Sequence, residues 1–162
     1  MFRELRRKEK ETDADRAGEI LVKGEYGVLS TVCENGFPYG VPLHYVYRNG
    51  SIYFHCAAAG LKTDNILLND RVSFCVVGRY EVQPEAFSTE YESVVVLGRA
   101  CEVHGEEKNE ALAALACKYA PDQEEKGREA IRNAGEKTAV VKIRPAHICG
   151  KASPGHTKTA GR

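Results

Sequence analysis

The sequence predicts a mainly β fold, in which six antiparallel strands form a small barrel with helices at its periphery. Apolar and polar residues alternate with a period of two in several runs, for example from Arg71 to Tyr80, as in half-buried strands. Two Asn-Gly pairs, Asn35-Gly36 and Asn49-Gly50, separate such runs and indicate tight hairpins. Helical spacing of apolar residues occurs before the first of these runs and between later ones, which favours peripheral helices.

A helix is expected before the first strand. Thr12 and Asp15 form a capping-box pattern, and apolar residues continue with helical spacing through Ile20 to about Gly24. A helix of this length is suited to covering one end of a barrel.

The first hairpin contains a proline that interrupts its second strand. Strand patterns run from Tyr26 to Cys33 and from Tyr39 to Arg48, with Asn35-Gly36 between them. Pro42 lies in the middle of the second run and has no N–H to give to a ladder. We therefore expect an edge or a bulge there, and a ligand can use the backbone groups that such a gap leaves free.

The stretch from Ser51 to Leu68 predicts a strand, a tight turn and the start of a helix. In the strand, Ile52 and Phe54 share one face while His55 lies on the other, and Gly60 precedes the helical pattern. The first N–H groups of a helix have no intrahelical partner and attract anions.

Two side chains strengthen this stretch as a candidate phosphate site. Lys62 adds a positive charge at the helix start, and His55 can donate a hydrogen bond from the end of the strand. The same residues also fit a plainer interpretation, with a solvated lysine and a surface histidine.

The second half of the chain continues the pattern. The predicted elements are a strand at 71–80, a loop at 81–89, a strand at 91–104 bent at Gly98, helices at 106–119 and 123–134, and a strand at 137–144. We expect one domain over residues 1–152 and a flexible tail over 153–162.

The composition excludes several classes of function. Among 162 residues, 23 basic and 23 acidic side chains balance, which argues against a nucleic-acid or anionic-membrane partner. The basic N-terminal run is interleaved with glutamates, and no apolar stretch resembles a signal peptide or a membrane span, so we expect a cytoplasmic protein. The six cysteines are widely spaced, which indicates reduced thiols and no metal site.

Several segments, in this order, resemble the FMN-binding split-barrel superfamily. They are Tyr26–Val32, Asn35–Tyr45, Gly50–His55, Gly60–Lys62 and the late Ala146–Lys151. The chain is most similar to the Nim-type nitroimidazole-resistance branch, a relative of pyridoxamine 5′-phosphate oxidase. The resemblance covers about residues 20–152 and implies a six-stranded antiparallel split β-barrel of the FMN-binding type.

The resemblance also implies a homodimer with two FMN sites at the subunit interface and His55 as the catalytic residue. The implied cofactor-binding residues are Ser30, Thr31, Pro42, Leu43, His44, His55, Cys56, Ala57, Lys62 and, from the partner chain, Lys151. The isoalloxazine ring is expected along residues 42–44, with the phosphate at the Lys62 loop.

The chain departs from pyridoxamine oxidases in two places. Leu61 stands before Lys62 where those enzymes carry an arginine, and the C-terminal arginine-rich signature is absent. The expected activity is instead NAD(P)H-driven reduction of a small planar acceptor, such as a 5-nitroimidazole or another nitro-aromatic.

Two alternatives to this activity remain open. One is a flavin-binding or haem-binding sensor without turnover, in which one of four histidines would serve as an axial ligand: His44, His55, His104 or His147. The other is a cofactor-free dimeric scaffold.

Overall fold

The computed structural model describes residues 2–123, 125–127, 129, 133 and 137–153. Three α-helices and seven strands are defined within these residues. The helices are α1 (Ala14–Lys23), α2 (Leu61–Leu68) and α3 (Gly105–Tyr119), and the strands are β1 (Gly27–Val32), β2 (Pro38–Leu43), β3 (Val46–Arg48), β4 (Ser51–Ala57), β5 (Arg71–Gln83), β6 (Ser88–Val103) and β7 (Thr138–Ala152).

All seven strands belong to one antiparallel sheet in the order β2-β1-β5-β6-β7-β4-β3. Its two edge strands, β2 and β3, are consecutive in the chain and are joined by only His44 and Tyr45. Because so short a link cannot span an open sheet, the sheet curls until its edges meet, as the predicted barrel requires. The expected run from Tyr39 to Arg48 is thus two strands rather than one, which raises the count from six to seven.

Two apolar clusters lie on opposite sides of the sheet. The larger fills the barrel and includes Leu29, Phe54 and Phe74, each fully buried. Helix α1 adds Ile20 and Leu21 to this cluster and packs against β3, β5, β6 and β7, in agreement with the helix expected at one end of the barrel. The smaller cluster lies between α3 and the outer side of the sheet, where Tyr53, Val140 and Leu112 are among its members.

The predicted capping box of α1 is wrong. Asp13, not Thr12, is the N-cap, and its carboxylate accepts a hydrogen bond from the Arg16 N–H at 2.7 Å. The Thr12 N–H instead donates to the Gly150 carbonyl at 3.1 Å, which ties the start of the helix to β7. Asp15 lies in the first turn, where its negative charge interacts favourably with the positive end of the helix dipole.

The predicted loop at 81–89 is also wrong. Strands β5 and β6 stay paired out to Gln83 and Ser88, and only Pro84–Ala86 and Phe87 form the turn. Most side chains of this outer hairpin are exposed on both faces, so no apolar alternation marks it as a strand.

The last strand runs to Ala152 rather than stopping at Arg144. It continues past Pro145 because a β-bulge accommodates the proline, and the partner position on β6 is Gly98, the predicted bend. Within the helix predicted at 123–134, residues 125–127, 129 and 133 are described and are helical. Of the tail predicted at 153–162, all but residue 153 lies outside the described residues.

Gly98 is required by close backbone contact. A Cβ at this position would lie 2.5 Å from the Arg144 carbonyl oxygen and 2.9 Å from Ile143 Cγ2. We expect Gly98→Ala to lower the free energy of unfolding by about 1–3 kcal/mol, measured by urea denaturation. Gly18→Ala is the matched control, because nothing lies within 4 Å of its added Cβ and alanine favours a helix by about 0.5–1 kcal/mol. Equal midpoints for the two variants would contradict this account.

Candidate functional site

Among the described residues, the curled sheet leaves two stretches of strand edge unpaired, and the gap between them is called the cleft. Strand β2 pairs with β1 on one side and, among the described residues, with no strand on the other. Strand β4 pairs with β7 along Ile52–Ala57, whereas β3 covers only Ser51–Tyr53. No strand in the described part of the chain pairs with the other edge of Phe54–Ala57, which faces β2 across the cleft.

The β2 edge presents mainly hydrogen-bond acceptors. The Cys33 N–H donates to the Phe37 carbonyl at 2.8 Å, and strict alternation from this pair directs the backbone groups of Pro38, Gly40 and Pro42 away from β1. Since proline has no N–H, this edge offers three carbonyls and the single N–H of Gly40. The predicted edge at Pro42 is confirmed.

The β4 edge offers both donors and acceptors. In the β3–β4 hairpin, Arg48 pairs with Ser51 across the two-residue turn, and alternation then directs the backbone groups of His55 and Ala57 toward the cleft. Backbone N–H and C=O groups at such an edge can bind the polar rim of a planar heterocycle.

His44 and His55 lie at the closed end of the cleft. If the β3–β4 ladder continued beyond Val46 and Tyr53, its register would set these two histidines opposite each other. The His44 ring stacks on Tyr119 of α3, with ring centroids 4.2 Å apart and an angle of 17° between the planes. The sequence gives no signal for this contact, because Tyr119 is 75 positions away and its spacing predicts only that it belongs to a helix.

Two residues at the end of α3 hold the link between β2 and β3. The Tyr119 hydroxyl accepts from the Tyr45 N–H at 3.0 Å and lies within donating distance of the Tyr45 carbonyl, at 2.8 Å, and of the Glu25 carbonyl, at 2.7 Å. Lys118 Nζ donates to the carbonyls of Gly24 at 2.7 Å and Tyr45 at 3.1 Å. Partial burial lowers the pKa of Lys118.

The pKa of His55 lies below its ordinary value. Partial burial of the ring is the larger cause, and the nearby His44 adds to it because a second positive charge would be repelled. His55 is therefore neutral at pH 7 and can both donate and accept hydrogen bonds.

The open end of the cleft carries the N-terminus of α2. Gly60 precedes the helix with φ of +144°, a conformation that suits glycine, and its carbonyl accepts from the N–H groups of Thr63 and Asp64. The N–H groups of Leu61 and Lys62 come before these first intrahelical bonds and so face outward. The exposed Asp64 carboxylate lies in the same turn and weakens its attraction for anions.

Lys62 lies close enough to β4 for its charge to influence the thiol of Cys56. Burial raises the pKa of Cys56, and the positive charge of Lys62 partly opposes this rise. The thiol is therefore protonated at neutral pH. The strand end and the helix start, predicted as one site, are adjacent in the structure.

Thr31 faces the interior of the barrel. The whole residue is only 2% exposed, and its hydroxyl accepts a hydrogen bond from Asn65 Nδ2 at 2.9 Å. Asn65 is itself 1% exposed and also contacts Cys33 Sγ at 3.5 Å. This buried bond fixes α2 against β1, so that Thr31 holds the helix that carries Lys62.

The other predicted site residues occupy different places. Pro42 is exposed and Leu43 packs against the barrel core, while Ser30 lies on the outer face of β1. Lys151 pairs with Ser93 far along β7, eleven residues beyond the partner of His55, or roughly 36 Å of strand. The fold does not bring Lys151 to the cleft of its own chain.

The described part of the chain contains neither a metal-binding cluster nor a membrane-spanning helix. No group of three or more His, Cys, Asp or Glu side chains is placed to hold a metal ion. Its helices also lack the length and apolar character needed to cross a membrane.

The chain belongs to the pyridoxamine 5′-phosphate oxidase family, whose sequence model matches residues 13–152. This match spans the barrel, the cleft and all three helices. A search of curated protein sequences found no match.

Solved structures with the same fold include several flavoproteins. A candidate 5-nitroimidazole antibiotic resistance protein from Bacteroides thetaiotaomicron is 24% identical, with a TM-score of 0.72 over 86% of this chain and 83% of that one. The flavocytochrome Anf3 from Azotobacter vinelandii is 22% identical, with a TM-score of 0.74 over 93% and 72%. An FAD-binding protein from Mesorhizobium loti is 22% identical, with a TM-score of 0.65 over 89% and 97%. At these identities the likeness establishes the split-barrel fold.

We expect His55 to titrate below the ordinary histidine pKa of about 6.5, as measured by NMR of its ring protons. The His44→Gln variant should raise the pKa of His55, because the repelling charge is removed. Because the pKa of His55 is lower in the folded state, the unfolded state binds the proton more readily. The free energy of unfolding is therefore highest above pH 6.5 and decreases as the pH falls through the unfolded-state pKa and then the folded-state pKa. His55→Gln should weaken this acid sensitivity.

The matched control for these titrations is His104→Gln, since the His104 side chain is 76% exposed. This variant should leave the titration of His55 unchanged. A pKa of His55 at or above 6.5 in the wild type would disprove the proposed coupling. A pKa of His55 that stays the same in His44→Gln would also disprove it.

Proposed function

We propose that this chain is an FMN-dependent reductase that takes electrons from NADH or NADPH and reduces a small planar acceptor. One observation carries the proposal: a helix N-terminus with Lys62 and two free strand edges border the same cleft. FMN has a phosphate at one end and a planar ring with a polar rim at the other, and so matches both features. When bound, it supplies the redox chemistry, which protein side chains lack.

The residues at the open end fit the phosphate. Lys62 supplies a full charge, and the outward N–H groups of Leu61 and Lys62 supply directed hydrogen bonds. The buried bond between Asn65 and Thr31 fixes the helix, so these groups are ordered before an anion arrives.

The residues of the two edges fit the ring. Gly40 has no side chain to cover the β2 edge, and Pro38 and Pro42 leave carbonyls without competing N–H groups. Across the cleft, His55 and Ala57 add backbone donors. Together these groups can bind the alternating donors and acceptors of a flavin pyrimidine ring.

His55 and His44 are suited to the acceptor. Neutral His55 can donate a hydrogen bond to a nitro or carbonyl oxygen, and its low pKa keeps it uncharged at neutral pH. The His44 ring, held flat against Tyr119, is a wall for a planar molecule. A 5-nitroimidazole has this shape, and the resistance protein from Bacteroides thetaiotaomicron supports the choice.

We further propose that the protein is a homodimer joined through the outer face of the sheet. Register places Val28, Cys75, Val95 and Cys149 in one row across β1, β5, β6 and β7. The next row contains Ser30, Ser73, Leu97 and His147. These eight side chains are small, apolar or aromatic, none is fully buried, and such an uncharged sheet face favours association.

A symmetric dimer also gives the distant Lys151 a role. It lies on the β7 segment next to the uncharged rows, and a second copy across this face would bring it near the other cleft. Burial raises the pKa of the Cys75 and Cys149 thiols, so both remain neutral within the proposed interface.

The central experiment is an absorption spectrum of the protein purified without added cofactor, followed by addition of NADPH and then NADH. We expect flavin bands that bleach with at least one donor and return on addition of 2-methyl-5-nitroimidazole. Flavin bands that neither donor bleaches would refute the reductase. A Soret band would instead favour a haem protein, and failure of added FMN to bind would remove the cofactor site.

Lys62→Ala should weaken FMN binding about 10- to 100-fold, as measured by fluorescence quenching of the free flavin, because the phosphate loses a charge-assisted hydrogen bond. Lys8→Ala is the matched control, since Lys8 lies on the exposed N-terminal arm and pairs with Glu4. Equal FMN affinity for the two variants would place the phosphate elsewhere.

Val95→Lys should convert the dimer to monomer in light-scattering chromatography, because a charge at the centre of the uncharged rows would be buried without a partner. Val22→Lys is its control, as Val22 is 55% exposed on α1, away from this face. A monomeric wild type, or a Val95→Lys variant that stays dimeric, would contradict the proposed interface.

A further inference from the structure

A second cavity, of about 520 Å³, lies between α1 and the base of the outer β5–β6 hairpin. This volume is within the usual range for small-molecule sites. Its lining comes from three segments: one side of α1 with residues 24–26, the β5 segment 77–80, and Glu92 on β6.

Aromatic rings form two of its walls. Tyr26 is 53% exposed and Tyr80 is 67% exposed, although tyrosine rings carry a large apolar area. The buried side chain of Ile20 and the half-exposed Val77 add apolar surface between them. A flat aromatic ligand would cover the surfaces that water now reaches.

The base of the cavity holds a neutral ion pair, and its lining also includes two cations, Lys23 and Arg79, and one carboxylate, Glu25. Glu92, with a side chain only 7% exposed, accepts from Arg16 Nε at 3.0 Å, and this ion pair closes the base. Lys23 and Arg79 lie at the rim with side chains 73% and 70% exposed.

The rim cations are available to an anionic ligand. Lys23 Nζ lies 3.6 Å from Glu19, and Arg79 lies 3.0 Å from Glu81. Pairs this exposed contribute little stability, so a phosphate can displace the glutamates at small cost. A β-bulge at Gly78 and Arg79, opposite Glu92, also removes backbone groups from the ladder and leaves them for a ligand.

The cavity adjoins the His44 end of the cleft. The Gly24–Tyr26 segment lines the cavity, and its Gly24 and Glu25 carbonyls are bonded to Lys118 and Tyr119 on the side of the cleft. Tyr119 in turn carries the His44 ring. A ligand that extends past Tyr26 can therefore reach both places.

We propose that this cavity binds the adenosine phosphate half of the nicotinamide donor. The adenine ring lies between Tyr26 and Tyr80, and the phosphate groups contact Lys23 and Arg79. This inference rests on the proposed reductase function, because that function requires such a donor. It assigns the cavity to the donor and leaves the cleft to FMN and the acceptor.

The test is calorimetric titration of the flavin-free and FMN-loaded protein with two fragments, AMP and 2′,5′-ADP. We expect 2′,5′-ADP to bind both forms and to bind more tightly than AMP if the donor is NADPH. Arg79→Ala and Tyr80→Ala should each weaken binding about tenfold. Arg71→Ala and Phe87→Ala are matched controls on exposed residues outside the cavity and should bind like the wild type.

Other outcomes overturn the assignment. Absence of fragment binding, or equal affinity in the Arg79 and Tyr80 variants, would remove the donor from this cavity. Displacement of the fragments by 2-methyl-5-nitroimidazole would make it an acceptor site instead.

Kinetics of the loaded enzyme give a separate readout. Arg79→Ala and Tyr80→Ala should each raise the KM for the donor about tenfold, while kcat and the affinity for FMN stay unchanged. If FMN fails to bind while 2′,5′-ADP binding depends on Arg79, then the reductase proposal fails and the nucleotide site stands.

Discussion

The two-residue link between β2 and β3 is the constraint on which the architecture depends. These strands are the opposite edges of a seven-stranded sheet, and His44 with Tyr45 is all that joins them. The sheet must close around its apolar interior for the link to span the gap. Because β3 covers only the start of β4, closure is incomplete, and the remaining gap is the candidate cofactor cleft.

Opposite orientations of the two linking residues couple the core to this cleft. Tyr45 is fully buried, donates its hydroxyl proton to the Leu21 carbonyl at 2.6 Å, and packs edge-on against Phe74 at 5.0 Å. His44, the preceding residue, points outward onto Tyr119. Burial of one ring therefore fixes the position of the other, and both α1 and α3 take part in holding the link.

The two proposed ligand sites differ in how their groups would bind an anion. At α2, backbone N–H groups and Lys62 act together in a helix that a buried hydrogen bond anchors, so the phosphate contacts are ordered in advance. At the second cavity, Lys23 and Arg79 are exposed side chains that must exchange one partner for another. This contrast suits a resident cofactor in the first site and a donor that binds and leaves in the second.

The sequence by itself determined the class of fold and much of the candidate site. Alternation of apolar residues, the Asn-Gly turns and the Gly60 turn are local signals, and each is realised by the adjacent residues alone. The proximity of Cys56 to Lys62 was predictable for the same reason, since six positions and one turn separate them. The outer hairpin escaped prediction because its exposed faces carry no apolar period.

Only the tertiary structure decided which distant residues meet at the site. The stacking of Tyr119 on His44, the inward direction of Thr31 toward Asn65, and the separation of Lys151 from its own cleft all depend on sheet register and helix packing. No local pattern encodes them, because a strand's period fixes which face a side chain takes but not which element covers that face.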